Sequence, residues 1–157
     1  MVERRENPWG RRARAALVGA LATVMVVVFA PQVQAATNPY TPEGVCGSGY
    51  RRVSPDATLT LKNGSQVWGH TYLLYSSATR KNCVVTLKQF EVGVETFTVA
   101  DLQVQGSNMV GDAGYYSYYA GPYYAYAPGR CVRIHGVIWE DDMVRYAQAY
   151  GPYGWCG

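Results

Sequence analysis

From Ala36 onward the chain never sustains helical periodicity; short runs rich in Val, Thr and Tyr recur between Gly, Pro and Asn. Branched and aromatic side chains suit a half-buried pleat, and turn residues at this frequency leave no room for long helices. The pattern predicts an all-β domain, a sandwich or small barrel-like fold. Thr58 to Lys62 meets Asn63-Gly64, a tight-turn signal, and Gln66 to Ser76 can return as the partner strand.

Further strands follow from alternation. Between Cys83 and Phe90, Cys83, Val85 and Leu87 share one face while Thr86 and Lys88 point the other way, as in a strand with one wet face. In Val92 to Gln105, Leu102 and Val104 oppose Asp101, Gln103 and Gln105. Asn108 to Gly114 reads as a loop, and Tyr115 to Ala127, Cys131 to Trp139 and Met143 to Tyr150 as extended segments. A short helix from Asp141 to Ala149 is the alternative for the last of these, because Asp caps well and Val144 and Ala147 are three apart.

Residues 1–35 read as an export address. Arg4, Arg5, Arg11, Arg12 and Arg14 make a basic start, Leu17 to Ala30 carry no charge, and Val33-Gln34-Ala35 supplies small residues for cleavage. The apolar run is shorter than the roughly 20 residues of a spanning helix, and Pro31 ends it, so removal of a signal peptide before Ala36 is expected rather than a membrane anchor. Arg11-Arg12 hints at twin-arginine export, but Ala13, Arg14 and Ala15 follow, which favours general secretion. Residues 36–45 are then a flexible lead-in to a single β domain at 46–157.

The leader also accounts for the charge. Five of the 14 Lys+Arg and two of the 11 Asp+Glu lie in residues 1–35, leaving nine of each beyond it and a formal net charge of zero. A neutral surface with scattered basic residues offers phosphates no attracting field, so no nucleic-acid partner is expected.

Cys46, Cys83, Cys131 and Cys156 all lie beyond the leader, and an even number in a small exported chain reads as a disulfide framework. Metal binding needs closely spaced pairs, whereas dozens of residues separate these, with only His70 and His135 as helpers, so no metal and no cofactor is expected. Four cysteines allow three pairings. The favoured one joins Cys83 to Cys131, both in strand-like runs, and Cys46 to Cys156, uniting the ends of the domain.

Tyr115, Tyr116, Tyr118, Tyr119, Tyr123, Tyr124 and Tyr126 crowd seven of the 14 tyrosines into 12 residues around Gly121-Pro122. Half of such a run must face away from any core. It is either ordinary strand packing or an aromatic surface able to stack on sugar rings. His70 and His135 read as strand histidines, and Glu140-Asp141-Asp142 as a solvated turn. Ser48 in Cys46-Gly47-Ser48-Gly49-Tyr50 lacks the glycine spacing of a nucleophile elbow, and Asn63-Gly64-Ser65 fits a glycosylation sequon that the hairpin explains better. No catalytic residue is assigned, and no enzyme is expected.

Several segments carry a family likeness: Cys46-Gly47-Ser48-Gly49-Tyr50, Thr71-Tyr72-Leu73-Leu74-Tyr75 leading to Lys81-Asn82-Cys83-Val84-Val85-Thr86, Tyr118-Tyr119-Ala120-Gly121-Pro122 running to Gly129-Arg130-Cys131-Val132, and Cys156-Gly157. In these the chain resembles the spore-associated protein A family of actinobacteria. The resemblance implies a small secreted protein attached to spores or aerial structures, with no established enzymatic activity and no catalytic residues to transfer. The expected function is therefore a secreted, non-enzymatic protein whose partner is a cell-wall or spore-surface component. The alternatives are a carbohydrate-binding module using the tyrosine run, or a protease inhibitor presenting Asn108 to Gly114 or Ala127 to Arg130.

Overall fold

The computed structural model describes residues 36–156; the expected signal peptide, residues 1–35, lies outside them. A short helix α1 (Pro42–Cys46) precedes nine strands: β1 (Arg51–Arg52), β2 (Thr58–Asn63), β3 (Gln66–Ser76), β4 (Lys81–Lys88), β5 (Thr96–Val104), β6 (Met109–Tyr116), β7 (Tyr119–Tyr126), β8 (Val132–Trp139) and β9 (Tyr146–Tyr150). They form two antiparallel sheets. In sheet A, β3 lies between β4 and an edge shared by β1 and β2, and β7 closes the far side of β4; in sheet B the order is β6-β5-β8-β9. The all-β expectation is met.

The β2–β3 hairpin forms as its sequence predicts, with Asn63 opposite Gln66. The two turn residues are Gly64 and Ser65, one step beyond Asn-Gly. Gly64 takes φ +57°, a conformation that side-chain-bearing residues adopt at a cost.

Between the sheets lies a core that includes Leu73, Val84, Ala100, Leu102, Val132 and Ile134. At one end Trp68 is fully buried with Leu61, Ile138 and Ala147, and its ring stacks on Phe90 at 4.2 Å. Burying each of the larger aliphatic side chains here, such as Leu61, Leu73 and Ile138, contributes about 1.5–3 kcal/mol.

The expected wet face of β4 is instead the interior. Thr86 is fully buried; it donates to the Val99 carbonyl of the opposite sheet at 2.7 Å and meets Thr71 Oγ1 at 2.8 Å. Gly136 on β8 makes room for this pair, since a Cβ there would lie 1.7 Å from Thr71 Oγ1. Lys88 is fully buried as well, and its ammonium donates to Val94 O, Thr96 Oγ1 and Tyr116 O. Burial pulls its pKa down to about 8, against a smaller upward pull from Glu91. These hydrogen bonds are what allow polar side chains in the sandwich centre.

The apolar face of β4 is covered from outside. Cys46 on α1 and Tyr50 pack with Leu74, Cys83, Val85 and Leu87 in a second buried cluster. Thr41 caps α1 by accepting the Gly44 N–H, and Pro42 occupies the first turn, where its missing N–H does no harm. The segment expected as a flexible lead-in is tied down from Asn38, whose amide donates to Lys88 O and Tyr118 O.

Three further expectations are corrected. Asn108 to Gly114 is not a loop, because most of it belongs to β6, paired with β5 from Met109 to Tyr116; Gly111, Asp112 and Gly114 interrupt the apolar alternation that would have signalled a strand. Asp141 to Arg145 is a turn leading into β9, with Met143 at φ +60°, and the alternative helix does not form. Glu140 is no solvated turn residue either: it is buried, and both its carboxylate oxygens accept from Arg145.

The disulfides join Cys46 to Cys83 and Cys131 to Cys156, not the favoured Cys83–Cys131 and Cys46–Cys156. Cys83 faces outward from sheet A toward α1, whereas Cys131 leads into β8 of sheet B, so two layers separate the expected partners. Gly154 exchanges two backbone hydrogen bonds with Val132, and this places Cys156 beside Cys131.

Candidate functional site

The crowded tyrosines do not form one platform. The chain leaves β6 in sheet B and enters β7 in sheet A through Ser117-Tyr118, so neighbouring tyrosines end on different surfaces. Tyr116 and Tyr123 turn inward against the core. Tyr118 and Tyr119 pack with Tyr40, and Tyr124 lies beside Tyr50 and donates to Cys46 O at 2.8 Å. Tyr126 lies under the Arg80 guanidinium. Tyr115 alone projects from the outer face of sheet B.

Asp112 holds the two edge strands together where the chain changes sheets. One carboxylate oxygen accepts the Tyr116 hydroxyl at 2.6 Å, and the other accepts the Gly121 N–H at 2.7 Å. The hydrogen bond to Asp112, with burial, pushes the Tyr116 hydroxyl up to about 12. At the opposite side of the sandwich the Asn63 amide donates to Tyr146 O, linking β2 to β9.

The outer face of sheet B gathers aromatic residues of which only Tyr115 belonged to a local signature. Register places Phe97 on β5 opposite Tyr115 on β6, and Trp139 on β8 opposite Tyr146 on β9. The pairing of Thr98 with Ile138, continued by one residue, sets Phe97 and Trp139 abreast. Their rings meet in two pairs, Phe97–Tyr115 at 5.6 Å and Trp139–Tyr146 at 4.6 Å. A row of four aromatics thus crosses all four strands, about 14 Å at the usual strand spacing.

Beside this row Val99 and Val137 form a floor, each only 8% exposed although it points outward. Beyond them lies a polar band. Asp101 accepts from His135 Nδ1 at 3.1 Å, and Arg133 Nε donates to Gln103 Oε1 at 2.7 Å. The His135 ring stacks on Tyr150 at 3.8 Å, and the Arg133 guanidinium covers Tyr153 at 4.7 Å. Tyr115, Tyr146 and Tyr150 remain 60%, 42% and 57% exposed. In sequence only the alternation of β5 and the place of Tyr115 in the tyrosine run bore on this face, and neither gave a hint of the aromatic row.

Asp101 and His135 are disposed like the orienting pair of an acid–base site. Yet His135 Nε2 is buried with no hydrogen-bond partner among the described residues, so no hydroxyl or thiol stands where a nucleophile would be needed. His70 sits on β3; burial lowers its pKa, and its Nδ1 is likewise buried without a partner. The four cysteines are consumed in disulfides. Of the two loops able to carry an inhibitory segment, the first is largely strand β6. In the second, Arg130 is tied back to Gln105 O and Ser107 Oγ.

No family model matches the sequence, and no solved structure matches it. The chain is 40% identical over 137 residues to spore-associated protein A of Streptomyces coelicolor, an alignment covering 85% of this chain and 83% of that protein. On that likeness the chain belongs to the spore-associated protein A family.

Proposed function

We propose that this chain is a secreted, non-enzymatic protein that attaches to the outer surface of spores or cells. The observation that carries the reading is the 40% identity to a protein named for its association with spores. The two disulfides support it, because such bridges persist in oxidising surroundings outside the cytoplasm. Among the described residues no helix is long and apolar enough to cross a membrane. The occupied His135–Asp101 pair, lacking a nucleophile, favours a binding role over catalysis.

Fractionation tests this reading. Culture medium, a detergent wash of intact spores and isolated membranes are probed for the protein, and its N-terminus is sequenced. Recovery in the spore wash with Ala36 first is the expected result. Exclusive recovery in membranes with residues 1–35 attached overturns it.

A further inference from the structure

We infer that the outer face of sheet B is a glycan-binding face whose ligand is an uncharged polysaccharide of β-linked pyranose rings, laid along the aromatic row Tyr115, Phe97, Trp139 and Tyr146. The inference deepens the surface-association reading and rests on it for the place where the glycan is met.

Three observations carry it. The first is spacing: the row sets one ring on each of four adjacent strands, at intervals of about 4.8 Å. That interval is close to the repeat of an extended β-linked sugar chain. Phe97 and Tyr115 meet edge-on at 70° and Trp139 and Tyr146 are tilted by 37°, so a pyranose would stack its flat array of weakly positive C–H groups on whichever ring of each pair turns its negative face outward.

The second is the chemistry alongside. Asp101 and Arg133 line the same face, two residues apart along the strands, each braced by a neighbour, His135 for Asp101 and Gln103 for Arg133. Bracing one atom of each group fixes its direction and leaves other donors and acceptors of the carboxylate and guanidinium for sugar hydroxyls. An apolar platform flanked by directed polar groups matches a ligand with apolar ring faces and polar edges, which a purely apolar partner is not.

The third is charge. Asp101 and Arg133 are the only formal charges among the outward-facing strand residues of this sheet, and they cancel. Such a face offers no attraction to an acidic polymer. The contrasting surface, around Tyr126 on sheet A, carries the Arg80 cation and lacks a row of rings in register.

The test uses the chain from Ala36 onward, in its oxidised form, with microcrystalline cellulose and chitin as neutral probes and dextran sulfate immobilised on beads as the acidic one. Depletion from the supernatant on at least one neutral polymer and none on dextran sulfate is expected. Tyr115→Ala and Tyr146→Ala, both at exposed rings, each weaken binding by up to about tenfold, while Tyr126→Ala on the other sheet leaves it unchanged. Circular dichroism and the unfolding midpoint of each variant separate loss of binding from loss of fold.

Retention on neither neutral polymer, retention on dextran sulfate alone, or equal weakening by Tyr126→Ala overturns the inference. So does concentration-dependent dimerisation in sedimentation that Tyr115→Ala abolishes, since the face then serves a second copy of the chain. The two readings fail separately. Wild-type protein and both variants held equally on spores, without polysaccharide binding, sink the glycan face and leave surface association standing; polysaccharide binding with no protein on spores does the reverse.

Discussion

The outer faces of the two sheets have opposite fates. On sheet A, β4 carries Cys83, Val85 and Leu87 outward, and α1 with Tyr50 covers them, so the strand is buried on both sides. On sheet B the outward residues of β5 and β8 stay uncovered by any described element and mix aromatics with a polar band. The difference lies in the chain that precedes the strands, because among the described residues only sheet A has a helix anchored to it by a disulfide. A covered face can be built from small and aliphatic residues. A bare one needs side chains that tolerate water and still shield the valines beneath them.

Breaking the cover on sheet A should have the largest effect. The double substitution Cys46→Ala/Cys83→Ala removes a bridge across a separation of 37 residues, which the chain-entropy model values at about 4 kcal/mol. Denaturant unfolding should show that loss. Increased binding of a hydrophobic dye should accompany it as Leu74, Val85 and Leu87 lose α1, making sheet A resemble its bare counterpart. Full stability loss without added dye binding would mean that α1 stays seated unaided.

A medium effect is expected between the sheets. Gly136→Ala forces a methyl group into Thr71 Oγ1 and should destabilise the fold by about 1–3 kcal/mol. Gly154→Ala, with nothing within 4 Å of the added atom, should stay within about 0.5 kcal/mol of the parent. Similar denaturation midpoints for the two variants would show that the Thr71–Thr86 pair yields easily and that the sheets are not locked together there.

The smallest effect belongs to the seam where β6 passes to β7. Tyr116 binds its proton more tightly when folded, so the stability it contributes is complete below pH 10 and is lost as pH rises through about 12. Asp112→Asn should return its titration toward the ordinary value near 10, read by tyrosinate absorbance, and move the onset of alkaline unfolding to lower pH. An unchanged titration would show that Asp112 does not hold the two edges.

What could be read in the sequence was local. The β2–β3 turn, the alternation of β5 and the run of β8 are each specified by residues a few positions apart, and all three formed. Alternation in β4 was also real, but it reports polarity and not exposure. Thr86 and Lys88 face the interior because partners from distant segments satisfy them. Strand β6 was hidden by its glycines and Asp112. The aromatic row was hidden for another reason: Tyr115, Phe97, Trp139 and Tyr146 become neighbours only through the registers of four strands, whereas the other tyrosines of the dense run are dispersed by a change of sheet.

The order of the two bridges along the chain also shapes how they can be made. Cys46–Cys83 is closed before Cys131 begins the second, so the loops follow one another and neither threads nor encloses the other. A chain emerging from its N-terminus can oxidise the first pair while the second half is still absent. The partner of Cys46 and that of Cys131 are each the next cysteine to arrive, so such a chain can reach its native pairing without having to exchange one bridge for another.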